Sequence, residues 1–446
     1  MSIKFSPAFE GLEEESAIRR AEVKFKDRND GVIPINVSSG NVKLPLHPDM
    51  QERVDDLGNT FKGGIPYSPT EGLEETQQAY RNLASLLGYN GKSPLFALPT
   101  NGAQEVMQLA ILGLCSQDRP FLIIEPAYTN YLGIANLFDK PVITLRRDLN
   151  NDGRYTEPPI DVLEKIIEVN RPGLFVVVSP DNPSGKELSI ETLINYAKLC
   201  VKYNVPMLKD GAYFGLTRDA PTRNGLVTPT LLAVTDNDVD GIEGLEMIAM
   251  SGSKMFNIPG LRAGALLTSN EEIYKRFKAA YSTLALCANV FGQHVMGALA
   301  HWDKEKITSW LRHQQRYYTP LMDKMIKDFK DIMPGIIVSE ADGGIYMVVD
   351  VRNLVPKIDG QAIFSSNEFA NYASAEGTVK IGGSKYTLLF TPMEEYFSAK
   401  PAQNPGSTQV RIALVETPPK LDLVPQVFSN LFYKFMSLQY SQHPSK

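Results

Sequence analysis

The sequence has few cysteines and no long apolar run. Its 446 residues include three cysteines, Cys115, Cys200 and Cys287, which lie far apart among apolar neighbours. Such a set argues against a disulfide framework or a metal site and is typical of buried thiols in a reducing compartment. The longest apolar runs, such as residues 174–178, are far shorter than a membrane span. Residues 13–15 are glutamates where a signal peptide would be basic or apolar. We therefore expect a cytoplasmic protein with no membrane partner.

An excess of positive charge is also missing. The 45 basic and 51 acidic residues give a net charge of −6, which offers no electrostatic reason to expect a nucleic-acid partner. No G-x-G-x-x-G turn follows an early strand, which argues against a nicotinamide-dependent dehydrogenase. The later histidines, His294, His301 and His313, lack the spacing and partners of a metal site or a catalytic triad. We expect no bound metal.

Short apolar runs alternate with amphipathic stretches over residues 61–299. The runs are rich in Val, Ile and Leu, which suits strands buried on both faces of a parallel sheet. They cover residues 121–124, 142–145, 174–178 and 265–267, and further strands are predicted at residues 207–210 and 247–250. Helical patterns lie at residues 73–87, 103–114, 161–169 and 190–202. This alternation predicts one large α/β domain.

The two chain ends follow a different pattern. Helices are predicted at residues 10–28, 303–330 and 368–375, and strand-like segments at residues 336–350 and 409–415. We interpret the ends as a second, smaller α+β domain. The predicted parts are an N-terminal arm with part of the small domain (1–50), a large cofactor-binding domain (51–320) and a small C-terminal domain (321–446). Residues 377–407, with their glycines and prolines, are interpreted as an extended insertion of unknown role.

One lysine lies among small residues between two predicted strands. The sequence Ser251-Gly252-Ser253-Lys254 lets a ligand approach the Lys254 amine closely. If its surroundings lower its pKa, this amine can form a Schiff base. Taken alone, a lysine in such a position is more often a solvated surface charge.

Three more windows place polar groups at the same edge of the predicted sheet. Asn182 follows the strand at residues 174–178, and Asp210 ends the next strand, with Tyr213 beyond it. Ligand sites of parallel sheets lie at this carboxyl edge. The turn Gly102-Ala103-Gln104 opens a helix, whose free N–H groups can bind an anion. Taken singly, Asn182 would be interpreted as a turn residue, Asp210 as a strand-end cap and Gly102 as part of a tight turn.

Together and in this order, the windows resemble the class I/II aminotransferases of pyridoxal-phosphate fold type I, over residues 36–414. The resemblance implies a mostly parallel, seven-stranded type of sheet flanked by helices, and pyridoxal 5'-phosphate as cofactor. Lys254 would hold the cofactor as a Schiff base, and Asp210 would pair with the pyridinium nitrogen. Asn182 and Tyr213 would hydrogen-bond the phenolic oxygen. Lys254, Asp210 and Tyr213 are thus the implied catalytic residues.

The resemblance also implies how the remaining parts of the cofactor are bound. Residues that would bind the phosphate are Gly102, Ala103, Gln104, Ser251 and Arg262, and Ser253 is a further cofactor-binding residue. Tyr128 would stack on the pyridine ring. Tyr67 would reach the phosphate of the neighbouring subunit, which implies a homodimer with shared active sites.

At the substrate end, the resemblance assigns the α-carboxylate to Arg411, with Gly40 and Asn182 beside it. A planar guanidinium can grip a carboxylate with two parallel hydrogen bonds. The implied substrates are an L-amino acid and a 2-oxo acid. The segment 281–293 has no arginine where aspartate aminotransferases of the best-known type bind a side-chain carboxylate. This argues against a dicarboxylate held in that way, although a lysine at 380, 385 or 400 could serve instead.

The predicted function is pyridoxal-phosphate-dependent transamination. The alternative on the same residues is a lyase or decarboxylase, because the fate of the Cα carbanion depends on the geometry of the pocket. A non-catalytic coenzyme-binding protein is the other alternative, and the presence of Lys254 argues against it.

Overall fold

The structure is a computed structural model that describes residues 3–10, 17–218, 222–223, 226–358, 361–400 and 403–442. The strands in these ranges are β1 Ile33–Asn36, β2 Phe96–Asn101, β3 Phe121–Glu125, β4 Val142–Arg146, β5 Leu174–Val178, β6 Met207–Gly211, β7 Thr222–Arg223, β8 Leu226–Val227, β9 Glu246–Ser251, β10 Ala263–Thr268, β11 Ile337–Val338, β12 Tyr346–Asp350, β13 Lys357–Ile358, β14 Gln361–Ala362, β15 Val379–Ile381, β16 Ser384–Leu389, β17 Thr391–Pro392 and β18 Gln409–Ala413.

The helices in the same ranges are α1 Pro7–Glu10, α2 Ala17–Phe25, α3 Pro48–Asp55, α4 Leu57–Thr60, α5 Glu74–Leu86, α6 Ala103–Leu114, α7 Thr129–Leu137, α8 Ile160–Asn170, α9 Ile190–Tyr203, α10 Thr230–Ala233, α11 Gly252–Met255, α12 Glu271–Leu284, α13 Val290–Gly297, α14 Lys304–Ile332, α15 Ser366–Ala375, α16 Pro418–Leu421 and α17 Val424–Gln442. Of the predicted helix at residues 10–28, residues 11–16 lie outside the described ranges.

The large domain is built on a seven-stranded sheet with the order β2-β10-β9-β6-β5-β3-β4. Strand β10 is antiparallel to both of its neighbours, whereas β9, β6, β5, β3 and β4 pair in parallel. Hydrophobic clusters pack on both faces of the sheet. This double burial explains why its strands are continuous apolar runs in the sequence. The predicted mostly parallel α/β fold is confirmed.

The small domain joins the two ends of the chain. Strand β1, near the N-terminus, pairs in parallel with β16, and helix α2 packs against α15. A second sheet has the order β11-β12-β18-β17. A separate hydrophobic cluster lies among these elements. The predicted boundaries at residues 50 and 320 stay predictions, and α14 runs through the second one as a continuous helix.

The interpretation of residues 377–407 as an extended insertion is wrong for most of its length. Strands β15 and β16 form a hairpin in the small-domain sheet, and β17 joins the second sheet. Gly382 and Gly383 have positive φ angles of 55° and 86°, which the tight turn between the strands requires. Leu388 and Phe390 are fully buried, so this segment supplies part of the core.

The sequence predicts neither a membrane-spanning helix nor a metal site. None of the described helices has the length and apolar character needed to cross a membrane. In the ranges that the structure describes, no cluster of His, Cys, Asp and Glu side chains could hold a metal ion. All three cysteines are free, and Cys115 and Cys200 are buried as expected, but Cys287 is only partly buried because it lies in the turn after α12.

A buried ion pair ties the two central strands together below the sheet edge that carries Asp210. Lys209 on β6 pairs with Glu246 on β9, and its amine also donates to the Val234 carbonyl at 2.7 Å. Both side chains are almost completely buried, with 1% and 0% exposed. Loss of one partner would leave the other charge alone in the core.

We expect Glu246→Ala to lower the free energy of unfolding by about 3–5 kcal/mol, because the Lys209 charge would stay buried without its partner. Chemical denaturation monitored by circular dichroism measures this. Glu272→Ala is the matched control, since it breaks an exposed i,i+4 pair with Arg276 and should change stability little. Equal effects of the two variants would contradict the expected cost of burial.

Candidate active site

A cavity of about 650 Å³ is lined by residues of both domains. The predicted site residues that line it are Gly40, Ala103, Gln104, Tyr128, Asn182, Asp210, Tyr213, Ser251, Ser253, Lys254, Arg262 and Arg411. Gly102 is adjacent, because a Cβ there would lie 2.5 Å from Nη2 of Arg262. Tyr67 does not line this cavity and is 80% exposed in the single chain.

Lys254 lies on the single-turn helix α11, where an open loop was expected. The Ser251 hydroxyl caps this turn by accepting from the Ser253 amide at 3.2 Å. The Lys254 amine donates to the Gly40 carbonyl. Burial lowers its pKa, and the charges of Arg411 and Arg262 lower it further, although Tyr346 opposes them. A depressed pKa favours the neutral amine, which is the nucleophilic form.

Asp210 is buried at the carboxyl end of β6. One of its oxygens accepts from the Tyr131 hydroxyl at 2.7 Å and the other from the Ala212 amide at 3.0 Å. Burial raises the pKa of this carboxyl, and the two hydrogen bonds oppose that rise only in part. A cationic ring nitrogen placed beside it would stabilise the carboxylate, so Asp210 fits the part predicted for it.

The start of helix α6 forms a concave, positively charged surface. Gly102 precedes the helix with a φ angle of 83°, and the first N–H groups of a helix have no partner within the helix. The Arg262 guanidinium lies beside it and donates to the Pro259 carbonyl at 3.0 Å. Strand β10 approaches so closely that a Cβ at Gly264 would lie 2.5 Å from the Gly102 carbonyl carbon. Fixed amides and a guanidinium of this kind suit a phosphate.

Arg411 is fully buried on strand β18. Its guanidinium donates to the Asn182 side chain at 2.9 Å, to the Thr391 hydroxyl at 3.2 Å and to the Ser38 carbonyl. Its Nε has no acceptor among the described residues. The donors of a buried guanidinium are thus only partly used, which fits a carboxylate ligand.

Several residues that line the cavity or contact its lining were missed by the sequence interpretation. Tyr131 is three residues after Tyr128 on the same helical turn, and that i,i+3 spacing was an available signal. Tyr346 begins β12 after Gly343-Gly344-Ile345, where the sequence presents it as one more residue of an apolar strand. Arg19 and Glu22 of α2 also line the cavity; their 3.4 Å pair has i,i+3 spacing in the helix predicted at residues 10–28, but nothing in the sequence connects that helix with the site.

Comparison with known proteins identifies the fold and its chemistry. The family model described as "Aminotransferase class I and II" matches residues 32–389. The chain belongs to this family. It is 24% identical over 321 residues to the aspartate aminotransferase of Pyrococcus horikoshii, covering 72% of this chain and 75% of the relative. A probable N-succinyldiaminopimelate aminotransferase of Mycobacterium tuberculosis is 29% identical over 234 residues, covering 52% and 54% of the two chains.

The solved structure of N-succinyldiaminopimelate aminotransferase from Mycobacterium tuberculosis superposes with a TM-score of 0.77 at 20% identity. It covers 96% of this chain and 100% of that one. The predicted family, fold type and aminotransferase activity are therefore confirmed. Members of this family use pyridoxal phosphate. The roles of individual site residues stay predictions.

Gly40 lies against the side chains of Tyr346 and Lys254. A Cβ at this position would overlap with the Tyr346 hydroxyl and lie 3.2 Å from the Lys254 amine. We expect Gly40→Ala to lower the free energy of unfolding by about 1–3 kcal/mol, because neither neighbour can move without disturbing the other. Denaturant titration provides the measurement.

The control for this substitution is Gly58→Ala on α4, where a Cβ meets nothing within 4 Å. Because alanine favours the helix, that change should stabilise the protein by about 0.5–1 kcal/mol. If Gly40→Ala and Gly58→Ala changed the free energy of unfolding in the same way, the contact at Gly40 would not be tight.

Proposed function

We propose that this aminotransferase binds pyridoxal 5'-phosphate on Lys254 and transfers an amino group between an L-amino acid and a 2-oxo acid, as a cytoplasmic homodimer. The observation that carries the proposal is one cavity that combines the Lys254 amine, the buried Asp210 carboxylate and the Arg411 guanidinium. When bound, the cofactor supplies an electron sink for the negative charge that develops at the substrate Cα.

The chain's own residues orient the cofactor. Asp210, fixed by Tyr131, keeps the ring nitrogen protonated through its negative charge. Asn182 and Tyr213 donate to the phenolic oxygen, and Tyr128 stacks on the ring. The residues that would bind the phosphate are Gly102, Ala103, Gln104, Ser251 and Arg262, and Ser253 would contact the cofactor beside them. Tyr67, exposed in the single chain, completes the phosphate site of the partner subunit.

Arg411 positions the substrate, and Lys254 transfers its Cα proton. The free Nε and a neighbouring N–H of Arg411 bind the α-carboxylate, and Gly40 leaves room for it. This anchor would hold the substrate so that its Cα–H bond is presented to Lys254. With the cofactor bound, the Lys254 amine would act as a general base that takes the proton from the substrate Cα, and its protonated form would act as a general acid that gives this proton to the C4′ carbon of the cofactor. Its lowered pKa supports the base role, since a neutral amine must accept the proton.

Replacement of Lys254 is the direct test of this mechanism. We expect Lys254→Ala to slow the half-reaction with an amino acid by about 10²–10⁴-fold, because the proton transfer loses its base. Single-turnover formation of pyridoxamine phosphate and the 2-oxo acid is the measurement. Lys275→Ala, on the exposed face of α12, is the matched control and should react as the wild type does.

An undiminished rate in Lys254→Ala would refute the assignment. If the wild type instead produced ammonia with the oxo acid, or released carbon dioxide, the alternative lyase or decarboxylase would be correct. Each outcome is read from the products of the same incubation.

The substrate side chain is the next question, since some relatives are named aspartate aminotransferases and identity to them is low. The segment 284–289 has no arginine, and Arg19, paired with Glu22, is a basic lining residue without a part in the mechanism above. We expect alanine and other monocarboxylic amino acids to react at least about tenfold faster than aspartate, since an unpaired side-chain carboxylate is costly to bind. Rapid bleaching of the cofactor absorbance by aspartate would contradict this preference for monocarboxylic substrates. In that case Arg19→Ala would be the variant expected to lose the reaction with aspartate.

A further inference from the structure

The hydroxyl of Tyr346 lies in the active-site cavity but has no part in the chemistry proposed above. Tyr346 lines the cavity and is 3% exposed. It shares a sheet face with Arg411, because residues 346 and 348 lie on the same side of β12 and Val348 pairs with Arg411. The guanidinium carbon lies 4.2 Å from the centre of the Tyr346 ring. This cation–ring contact holds the tyrosine beside the arginine.

The proton of the Tyr346 hydroxyl lacks an acceptor among the described residues. The Tyr213 hydroxyl donates to it at 3.4 Å. On its other side are Gly40 and Lys254, since a Cβ at Gly40 would overlap with the Tyr346 hydroxyl and lie 3.2 Å from the Lys254 amine. A buried hydroxyl that accepts a hydrogen bond but donates none is only half satisfied.

Binding of the cofactor would not supply that acceptor. In the proposed function the Tyr213 hydroxyl donates to the phenolic oxygen of the cofactor, and Lys254 is joined to the cofactor. The Tyr213 oxygen remains 3.4 Å away. Hydrogen bonds between hydroxyls are usually about 2.5–3.0 Å long, so this oxygen is a poor acceptor. A buried donor without a partner is costly, and a further acceptor is expected when the site is loaded.

The substrate α-carboxylate is the acceptor that Arg411 would bring to this place. The Nη atoms of Arg411 donate to Asn182, Ser38 and Thr391, whereas its Nε has no acceptor among the described residues. A carboxylate at Nε would lie in the part of the cavity that Arg411, Gly40 and Tyr346 line together. It offers about four lone-pair positions, of which a guanidinium uses two, so it can also accept from a hydroxyl.

A donor role requires that the Tyr346 hydroxyl keeps its proton. Burial opposes ionisation of Tyr346, whereas the charges of Arg411 and Lys254 lower its pKa. A bound carboxylate neutralises the charge of Arg411, and Lys254 is no longer a free ammonium group once it is joined to the cofactor. Both changes favour the protonated hydroxyl.

We propose that the Tyr346 hydroxyl donates a hydrogen bond to the substrate α-carboxylate beside Arg411 and thereby helps the enzyme to select amino acids over simple amines. Tyr346 is thus a further substrate-binding residue. The inference deepens the proposed function, because it depends on Arg411 being the carboxylate site. Hydrogen bonds to charged groups are stronger than those between neutral groups, so loss of this bond should weaken carboxylate recognition about 10–100-fold.

The test compares alanine with ethylamine, which is alanine without its carboxylate. Each is mixed with the holoenzyme, and the loss of the cofactor absorbance gives an apparent second-order rate constant. In Tyr346→Phe we expect this constant to fall about 10–100-fold for alanine and to change less than about twofold for ethylamine. Tyr318→Phe is the matched control and should change neither, because Tyr318 is buried in the same hydrophobic cluster but does not line the cavity.

A second measurement is independent of the chemical step. Propanoate, which is alanine without its amino group, is titrated into the holoenzyme in a calorimeter. Its Kd should rise about 10–100-fold in Tyr346→Phe, while the Kd of pyridoxal phosphate for the apoenzyme should stay as in the wild type. If ethylamine does not react with the wild type, the Kd of propanoate decides alone.

Equal losses for alanine and ethylamine would mean that the hydroxyl acts on the amine or the cofactor, and they would overturn the inference. Unchanged values for alanine and propanoate would overturn it as well. If Tyr346→Phe does not fold, 4-methylphenylalanine and 4-aminophenylalanine at this position fill the space of the hydroxyl without and with a donor. The inference then requires that only the methyl variant loses carboxylate recognition.

Failure of the proposed function is read separately. Arg411→Lys should weaken propanoate binding whether or not Tyr346 takes part, because lysine lacks the planar fork of donors. An unchanged Kd in that variant rejects the proposed carboxylate site and the inference with it, as does a wild type without cofactor absorbance after pyridoxal phosphate is added. A normal response of Arg411→Lys with no effect of Tyr346→Phe rejects the inference only.

Discussion

The buried guanidinium of Arg411 is the constraint around which the rest of the site is arranged. Strand β18 is buried along its whole length, so this side chain is held inside the protein and reaches only the cavity that it lines. The guanidinium carbon lies 4.2 Å from the centre of the Tyr346 ring, and the hydrogen-bond acceptors of the guanidinium are neutral oxygens. These contacts offset only part of the cost of burying the charge. The site is therefore most stable when an anion is present. Binding of a carboxylate is favoured because the Arg411 guanidinium is already buried in the folded protein, so its desolvation adds no further cost on binding.

The site forms where two sheets of different type meet. The large sheet brings Asn182 and Asp210 to its carboxyl edge, as parallel strands with crossover helices do. The small-domain strands β12 and β18 bring Tyr346 and Arg411 to the opposite wall. The hydrogen bond from Arg411 to Asn182 joins the walls directly. This bond therefore couples the two domains at the carboxylate site.

Most of the fold follows from local patterns, whereas part of the site does not. The predicted strand Leu174–Val178 and helix Ala103–Leu114 have the observed bounds, because continuous β-branched runs and helical spacing are local properties. Residues 377–407 were misinterpreted because turn residues hid the strands around them. Tyr346 was missed for a different reason: its hydroxyl gains meaning only from Tyr213 and Arg411, which lie far away in the sequence.

The net charge of −6 and an anionic cofactor are compatible because electrostatics in this protein are local. Charges separated by more than about 8–10 Å in solvent are largely screened, while charges in a buried cavity are not. Lys254, Arg262 and Arg411 line one cavity, and the two arginines both attract anions and lower the pKa of the Lys254 amine. Since Arg411 and Arg262 perform both tasks, affinity for the anionic ligand and reactivity of the lysine arise from the same positive field. A ligand that neutralises this field raises the basicity of Lys254, so the amine becomes a stronger base once the carboxylate and the phosphate are in place.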